Sequence, residues 1–245
     1  MKIIIIDTEM SGSTNEDRVI SIATDELEDN KLKGLKKGLF NPGVPIKQGA
    51  FWVHKISDRD LVNKPDFKNT KFFKLLNDFL SDPKNIVVGH AVCNDLFVIA
   101  KEGIYSRCRI IDTQYCATKI FDTEKSSLNF LAKEYNLLND ENVTFHTAEG
   151  DVKVTYKLYL ELLKHCCFEK LVSLSMEQFF DLQVSVDGRK KKFIYSIAAQ
   201  NSEVLLPLFK KVKDPKKFYA LMFFYSNSHL IHNKTKNEMI NILSL

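Results

Sequence analysis

No apolar run in this chain approaches the ~20 residues a membrane-spanning helix needs. Even Phe218-Tyr219-Ala220-Leu221-Met222-Phe223-Phe224-Tyr225, strongly apolar and aromatic, is far too short. A secretory leader is not expected either, because Lys2 and four isoleucines run straight into Asp7 and Glu9. The five cysteines (Cys93, Cys108, Cys116, Cys166 and Cys167) form no C-x-x-C pair. An odd count without a leader points to reduced thiols, and the spacing gives no zinc site. A cytoplasmic protein with no membrane association is the expectation. Internal repeats and low-complexity tracts are also missing. A large excess of either charge is missing too, with 35 basic against 31 acidic side chains and a formal net charge of only +4. That balance hides an asymmetry. From Lys170 onward there are 12 basic against 6 acidic side chains, leaving 23 against 25 in the rest. A nearly neutral body with a basic final third suits a polyanionic partner, although a solvated lysine-rich surface has the same composition.

What the chain does have is a mixed pattern of strands and helices. Ile3-Ile4-Ile5-Ile6 is a continuous β-branched run, as in a strand buried on both faces. Arg18 to Thr24 alternates, Asp25 to Lys33 is polar like a hairpin turn, and Leu35 to Phe40 offers a third strand before Asn41-Pro42-Gly43. Phe72, Phe73, Leu75, Leu76, Phe79 and Leu80 fall at helical spacing, stopped by Ser81-Asp82-Pro83. Asn85 to His90 and Arg109 to Thr113 read as further strands. Helices are expected from Asn94 and Asp95 to Gly103, over 114–121 and 127–135, and from about Thr147 to Cys166. A three-strand meander followed by strands alternating with helices predicts an α/β domain, with helices on both faces of a mixed sheet, over residues 1–168.

Acids fall where such a sheet would build a site. Asp7 and Glu9 are two apart at the end of the first strand and therefore share a face. Two acids there are costly unless a cation compensates them, and oxygen ligands suit magnesium or manganese. Asp95 and Asp151 each open a helix, near the positive end of its dipole. Asp151 adjoins Val152 on the apolar stripe, so it should point toward the sheet. His146 lies just ahead of that helix, and histidine is a side chain that can take a proton from water at cellular pH. Taken singly, each is also an ordinary strand end, helix start or loop residue.

The ordered set carries a resemblance. Ile6-Asp7-Thr8-Glu9-Met10-Ser11-Gly12, then Val88-Gly89-His90-Ala91-Val92-Cys93-Asn94-Asp95, then His146-Thr147-Ala148-Glu149-Gly150-Asp151 resemble the three motifs of the DEDDh, or DnaQ-like, 3′–5′ exonucleases. That family includes the proofreading subunit of bacterial DNA polymerase III, RNase T and oligoribonuclease. Asn41-Pro42-Gly43, Pro45-Ile46, Ala50 with Val53-His54-Lys55-Ile56-Ser57, Ile111-Asp112-Thr113 and Leu128-Asn129-Phe130-Leu131 resemble further family segments. The likeness spans roughly residues 2–167. Ala91 departs from the asparagine that often follows the histidine of the second motif, and Asn94 from a frequent phenylalanine.

The resemblance implies an RNase H-like fold with a five-stranded mixed sheet. It also implies hydrolysis of single-stranded nucleic acid from 3′ ends, releasing nucleoside monophosphates, with DNA rather than RNA as the expected substrate. Two divalent cations, Mg2+ or Mn2+, would be held by Asp7, Glu9, Asp95 and Asp151, with His146 as general base. Thr8, Met10 and His54 are the implied substrate contacts, and a DNA polymerase or repair complex is an implied partner. Met10 also resembles oligoribonuclease, which acts on short RNA. The other class of reading is a non-catalytic subunit that binds nucleic acid or a polymerase. Residues 169–245 lie beyond the motifs. Arg189-Lys190-Lys191-Lys192 and Lys210 to Lys217 suit an accessory extension that grips a nucleic-acid backbone. One or two strands near Leu171–Val186 and helices over 193–199, 202–211 and 215–225 are expected there.

Overall fold

The computed structural model describes residues 1–12, 17–104, 106–138 and 143–175. The lysine-rich stretches and the helices expected beyond residue 192 lie outside them.

Five strands build one sheet: β1 (Ile3–Met10), β2 (Val19–Glu28), β3 (Lys31–Leu39), β4 (Ile86–Gly89) and β5 (Arg109–Asp112). Their order is β3-β2-β1-β4-β5. The first three pair antiparallel, while β4 and β5 run parallel to β1. β1 therefore sits in the middle, and Ile4, Ile5 and Ile6 are at most 6% exposed. An apolar run without alternation is what a strand covered on both faces requires.

The helices are α1 (Gln48–His54), α2 (Asp58–Leu61), α3 (Lys71–Leu80), α4 (Cys93–Lys101), α5 (Thr113–Ile120), α6 (Leu128–Glu134) and α7 (Ala148–His165). Ile5, Val88 and Ile111 on one face of the sheet pack with Val152, Leu158 and Leu162 of α7 and with α5 and α6. α3 lies over the opposite face, where its Leu76 meets a cavity shared with Ile4 and Thr24. The mixed α/β architecture expected from the sequence is the one observed.

Three local expectations need correction. The polar stretch 25–33 is mostly strand. The turn is only Asp29-Asn30, both at positive φ (50° and 58°), between the paired Glu28 and Lys31. Aspartate and asparagine tolerate that backbone, and a two-residue turn of this kind matches the twist of a hairpin. Polar residues there mark the edge of the sheet rather than its end. Secondly, the apolar segment 49–57, left unassigned above, is mostly the short helix α1.

The third correction is the strand expected from Leu171. Residues 168–175 are helical, and Leu171, Val172 and Leu174 are at most 5% exposed within the same core. Ser175 Oγ accepts a hydrogen bond from the Asp112 backbone N–H at 2.9 Å. The folded body thus continues past the boundary expected at residue 168.

Candidate active site

The pleat of β1 decides what each residue near its end can reach. Asp7 and Glu9 follow Ile5 on the face covered by α7, while Thr8 and Met10 follow Ile6 on the opposite face. Between Glu9 and Met10 the pairing with β2 slips by a residue: Glu9 lies opposite Ser21 but Met10 opposite Val19. A bulge of this sort bends a strand and re-aims the side chains beside it.

α7 brings the third acid. Its cap is Thr147, whose Oγ1 accepts from the Gly150 N–H at 3.1 Å. A Cβ on Gly150 would collide with the Thr144 carbonyl oxygen and stand 2.8 Å from Thr147 Oγ1, so glycine lets the preceding loop close against the helix. Asp151 follows at once. Asp7, Glu9 and Asp151 each offer a carboxylate oxygen within 4.8 Å of the others. His146 is exposed in the same loop, with a left-handed backbone (φ 60°). Its backbone N–H donates to Asp151 Oδ2 at 3.1 Å. Asp151 Oδ1 is buried and has no hydrogen-bond partner among the described residues.

Asp95 comes from the other face, in the first turn of α4, and is 5% exposed. Its Oδ1 accepts from both the backbone N–H and the hydroxyl of Thr8, each at 2.7 Å. Gly89 leads into this turn. A Cβ there would stand 2.6 Å from Val92 Cγ2 and 3.2 Å from the Ile6 carbonyl. Ala91 adopts φ 56° and donates its N–H to Asp112 Oδ1 at 3.1 Å. Asparagine tolerates a left-handed backbone better than alanine does, which gives a physical reason for the family's preference at this position. Asn94, the other departure, is exposed. His90, between Gly89 and Ala91, bridges the Thr113 hydroxyl and the Ser126 carbonyl at 3.1 and 2.8 Å. A carbonyl only accepts, so Nε2 carries the proton. Burial pushes the His90 pKa down to about 4, against the Ser126 contact, which keeps it neutral and structural.

The electrostatics are those of an anionic cluster in need of cations. Burial, followed by the charges of Asp95, Asp151 and Glu9, raises the Asp7 pKa well above the usual carboxylate range. Glu9 is pushed up to about 8, first by burial and then by Asp151 and Asp95. Burial raises Asp95 to about 7, although its hydrogen bonds from Thr8 oppose the rise. Burial also raises Asp151 to about 6, against the contacts from His146.

The three expected substrate contacts fare differently. Thr8 is 7% exposed and gives both of its donors to Asp95, so it holds an acid rather than lining the open site. Strand alternation alone could have revealed this, since the residue between two acids on one face must point to the other. Met10 is half-buried. His54 is buried, its Nδ1 accepting from the Ile56 N–H at 3.0 Å. Burial lowers its pKa, and the nearby Met10 carbonyl opposes that. His54 also borders a cavity of about 410 Å³ shared with Leu39, Ile56, Thr147 and Ala148, next to the loop that carries His146. Thr8→Val is expected to cost about 10- to 100-fold in metal affinity or activity, the usual effect of removing an outer-shell hydrogen bond. Calorimetric titration with Mn2+ against the unchanged protein measures it.

A mixed sheet with acids gathered at the end of its central strand, backed by a helix-start aspartate and a loop histidine, defines a hydrolase of the RNase H-like class. The model of the exonuclease family matches residues 4–159. The chain belongs to that family and is a 3′–5′ exonuclease. Among its relatives is the DNA polymerase III subunit epsilon of Buchnera aphidicola from Acyrthosiphon pisum. The two are 32% identical over 173 residues, covering 64% of this chain and 70% of the relative. The subunit of the same name from Buchnera aphidicola of Schizaphis graminum is 28% identical over 225 residues, covering 84% and 93%. The Escherichia coli K12 subunit is 24% identical over 176 residues, covering 65% and 70%.

Among solved structures, Exonuclease X in complex with 5′ overhanging duplex DNA superposes with a TM-score of 0.59 at 21% identity, covering 71% of this chain and 99% of that one. E. coli Exonuclease I in complex with a dT13 oligonucleotide gives 0.54 at 15% identity, covering 74% and 44%. At those identities the likeness speaks for the fold. Among the described residues no helix is long and apolar enough to cross a membrane.

Proposed function

We propose that the chain hydrolyses single-stranded nucleic acid, with DNA as the expected substrate, at an Asp7–Glu9–Asp95–Asp151 centre holding two divalent cations, Mg2+ or Mn2+. The carrying observation is the trio of carboxylates within 4.8 Å of one another. The donor set fits such ions. All the ligands are hard oxygens, each keeps its proton to a higher pH than an ordinary carboxylate does, and Asp151 Oδ1 has no hydrogen-bond partner among the described residues. Asp7, Glu9 and Asp151 would hold one cation, while Asp7 and Asp95 face the second. Bound there, the ions screen the phosphodiester charge and lower the pKa of attacking water.

The remaining work falls to the chain's own groups. His146 is exposed and its hydrogen bond to Asp151 runs through its backbone N–H, which leaves the imidazole nitrogens for the attacking water. It takes that water's proton and passes it to solvent. Thr8 fixes Asp95, and Gly150 with Thr147 fixes the loop that aims His146. Met10 and His54, flanking the end of β1, are the contacts for the terminal nucleotide. The relatives named as polymerase subunits suggest a DNA polymerase as partner, and the basic residues 169–245 suggest a backbone grip.

A labelled single strand incubated with Mn2+ tests the activity. Shortening in single-nucleotide steps from the 3′ end, stopped by EDTA, is the expected result. An intact strand, or one shortened equally in EDTA, overturns it.

A further inference from the structure

The helix that carries Asp151 also carries a hydroxyl that nothing in the fold employs. Thr155 of α7 is 0% exposed, and its Oγ1 has no hydrogen-bond partner among the described residues. A hydroxyl buried without a partner loses its water and gains nothing in exchange, which is costly. Valine has nearly the same shape without that cost, and α7 uses it nearby at Val152 and Val154, both fully buried. Threonines inside helices can also turn the hydroxyl back to a carbonyl three or four residues earlier. Thr155 has not taken that bond.

Helical register supplies a partner. Thr155 follows Asp151 by four residues on the unbroken helix Ala148–His165, so the two share a face with Cβ atoms about 5–6 Å apart. Side chains lean toward a helix's start, which carries Thr155 toward the turn of Asp151 rather than away from it. Asp151 Oδ2 accepts from the His146 backbone N–H, while Oδ1 is the oxygen left buried and unpartnered. A donor without an acceptor and an acceptor without a donor therefore stand one turn apart. Asp95 shows the completed form of this arrangement, since its Oδ1 already takes the hydroxyl of Thr8 at 2.7 Å.

We infer that Thr155 is a positioning residue for the metal centre, its hydroxyl donating to Asp151 Oδ1 when that carboxylate engages a divalent cation. The inference rests on the metal-dependent reading above. A carboxylate oxygen has two lone pairs, so Oδ1 can accept from the hydroxyl and still face an ion. A donor at the back of a ligand fixes the ligand's angle to the metal. The unpaired hydroxyl thus costs the empty fold and favours the loaded one, a difference between two states that a valine would erase.

Calorimetric titration of the full chain with Mn2+, beside thermal unfolding in EDTA, tests this. Thr155→Val should bind Mn2+ about 10- to 100-fold more weakly, the usual effect of removing a ligand's outer hydrogen bond. The same variant should unfold in EDTA at a temperature no lower than its parent's, because a buried unpaired hydroxyl has gone. Thr155→Ser should recover most of the Mn2+ affinity while being less stable in EDTA, since it keeps the hydroxyl and loses the methyl. Parental Mn2+ affinity in Thr155→Val overturns the inference and leaves the exonuclease reading standing. A valine variant that is less stable in EDTA, or does not fold, also overturns it, because the hydroxyl then serves the metal-free fold. So does equal weakening of Mn2+ binding in the valine and serine variants, which would remove the hydroxyl as the cause. If the unchanged protein takes up no Mn2+, this inference and the metal-dependent reading fall together.

Discussion

Asp7→Asn is expected to make the metal-free protein more stable while removing its metal-dependent hydrolysis. Both effects come from one fact, that the acid cluster is built for ions rather than for itself. Asp7 is held toward its neutral form by burial and then by the charges of Asp95, Asp151 and Glu9. Asparagine is a permanent neutral copy of that form, so it relieves repulsion without changing size. With the charge goes the ligand common to both proposed cations.

The pH dependence has a definite sign. Glu9, Asp95 and Asp151 titrate at about 8, 7 and 6 in the folded chain, against ordinary carboxylate values in the unfolded one. Below about pH 4 both states hold these protons and the groups cost nothing. Between about 4 and 8 the folded chain retains protons that the unfolded chain has released, so stability falls as pH rises through the folded values. Thermal unfolding in EDTA should therefore give a midpoint that drops from pH 5 to pH 8, and drops less in Asp7→Asn. Saturating Mn2+ should restore the unchanged protein, by about 2.7 kcal/mol at a hundredfold excess over Kd, and do little for the variant. A variant with the same metal-free midpoint as its parent at pH 8 would contradict the account.

His146→Asn should lower kcat by about 10²- to 10⁴-fold, the usual contribution of a general base, with KM nearly unchanged. Asparagine is the informative replacement. His146 sits at φ 60°, a backbone that asparagine tolerates and alanine resists, and its tie to Asp151 runs through the main chain. The loop and the ligand geometry should therefore survive while the proton acceptor is lost. A variant that cuts single strands at the parental rate would remove His146 from the mechanism.

Much of this centre was readable from residue order. The isoleucine run ending in Asp7 and Glu9 had to be a buried strand, and Val152 beside Asp151 oriented α7 toward it. Those inferences used only side-chain period and the cost of burying charge. What stayed hidden depended on backbone conformation and on pairing across long separations. The bulge at Glu9 and Met10 exists only because Val19 takes a particular place on a neighbouring strand. The left-handed turns at Ala91 and His146 carry residues whose names do not announce them. The short helix over 48–54 mixes apolar residues without a period, so its outward tryptophan could not be told from a core one. The helical start of the final third was misjudged for a different reason. Leu171, Val172 and Leu174 follow no strand alternation, and what buries them is a core made by distant residues.

The central place of β1 also has a consequence for how the chain is made. Its partner β2 follows within the first 28 residues, but β4 begins only at Ile86. At a synthesis rate of ~5–20 residues per second, one edge of the isoleucine strand waits roughly 4–17 s for its neighbour. During that interval the hairpin of β2 and β3 covers the other edge, and the outermost strand is lined with lysines at 31, 33, 36 and 37. Charged edges resist pairing with other chains. The lysines of β3 thus guard the growing protein against strand-to-strand association on that side, and the open side of β1 is where a ribosome-bound chaperone would be most needed.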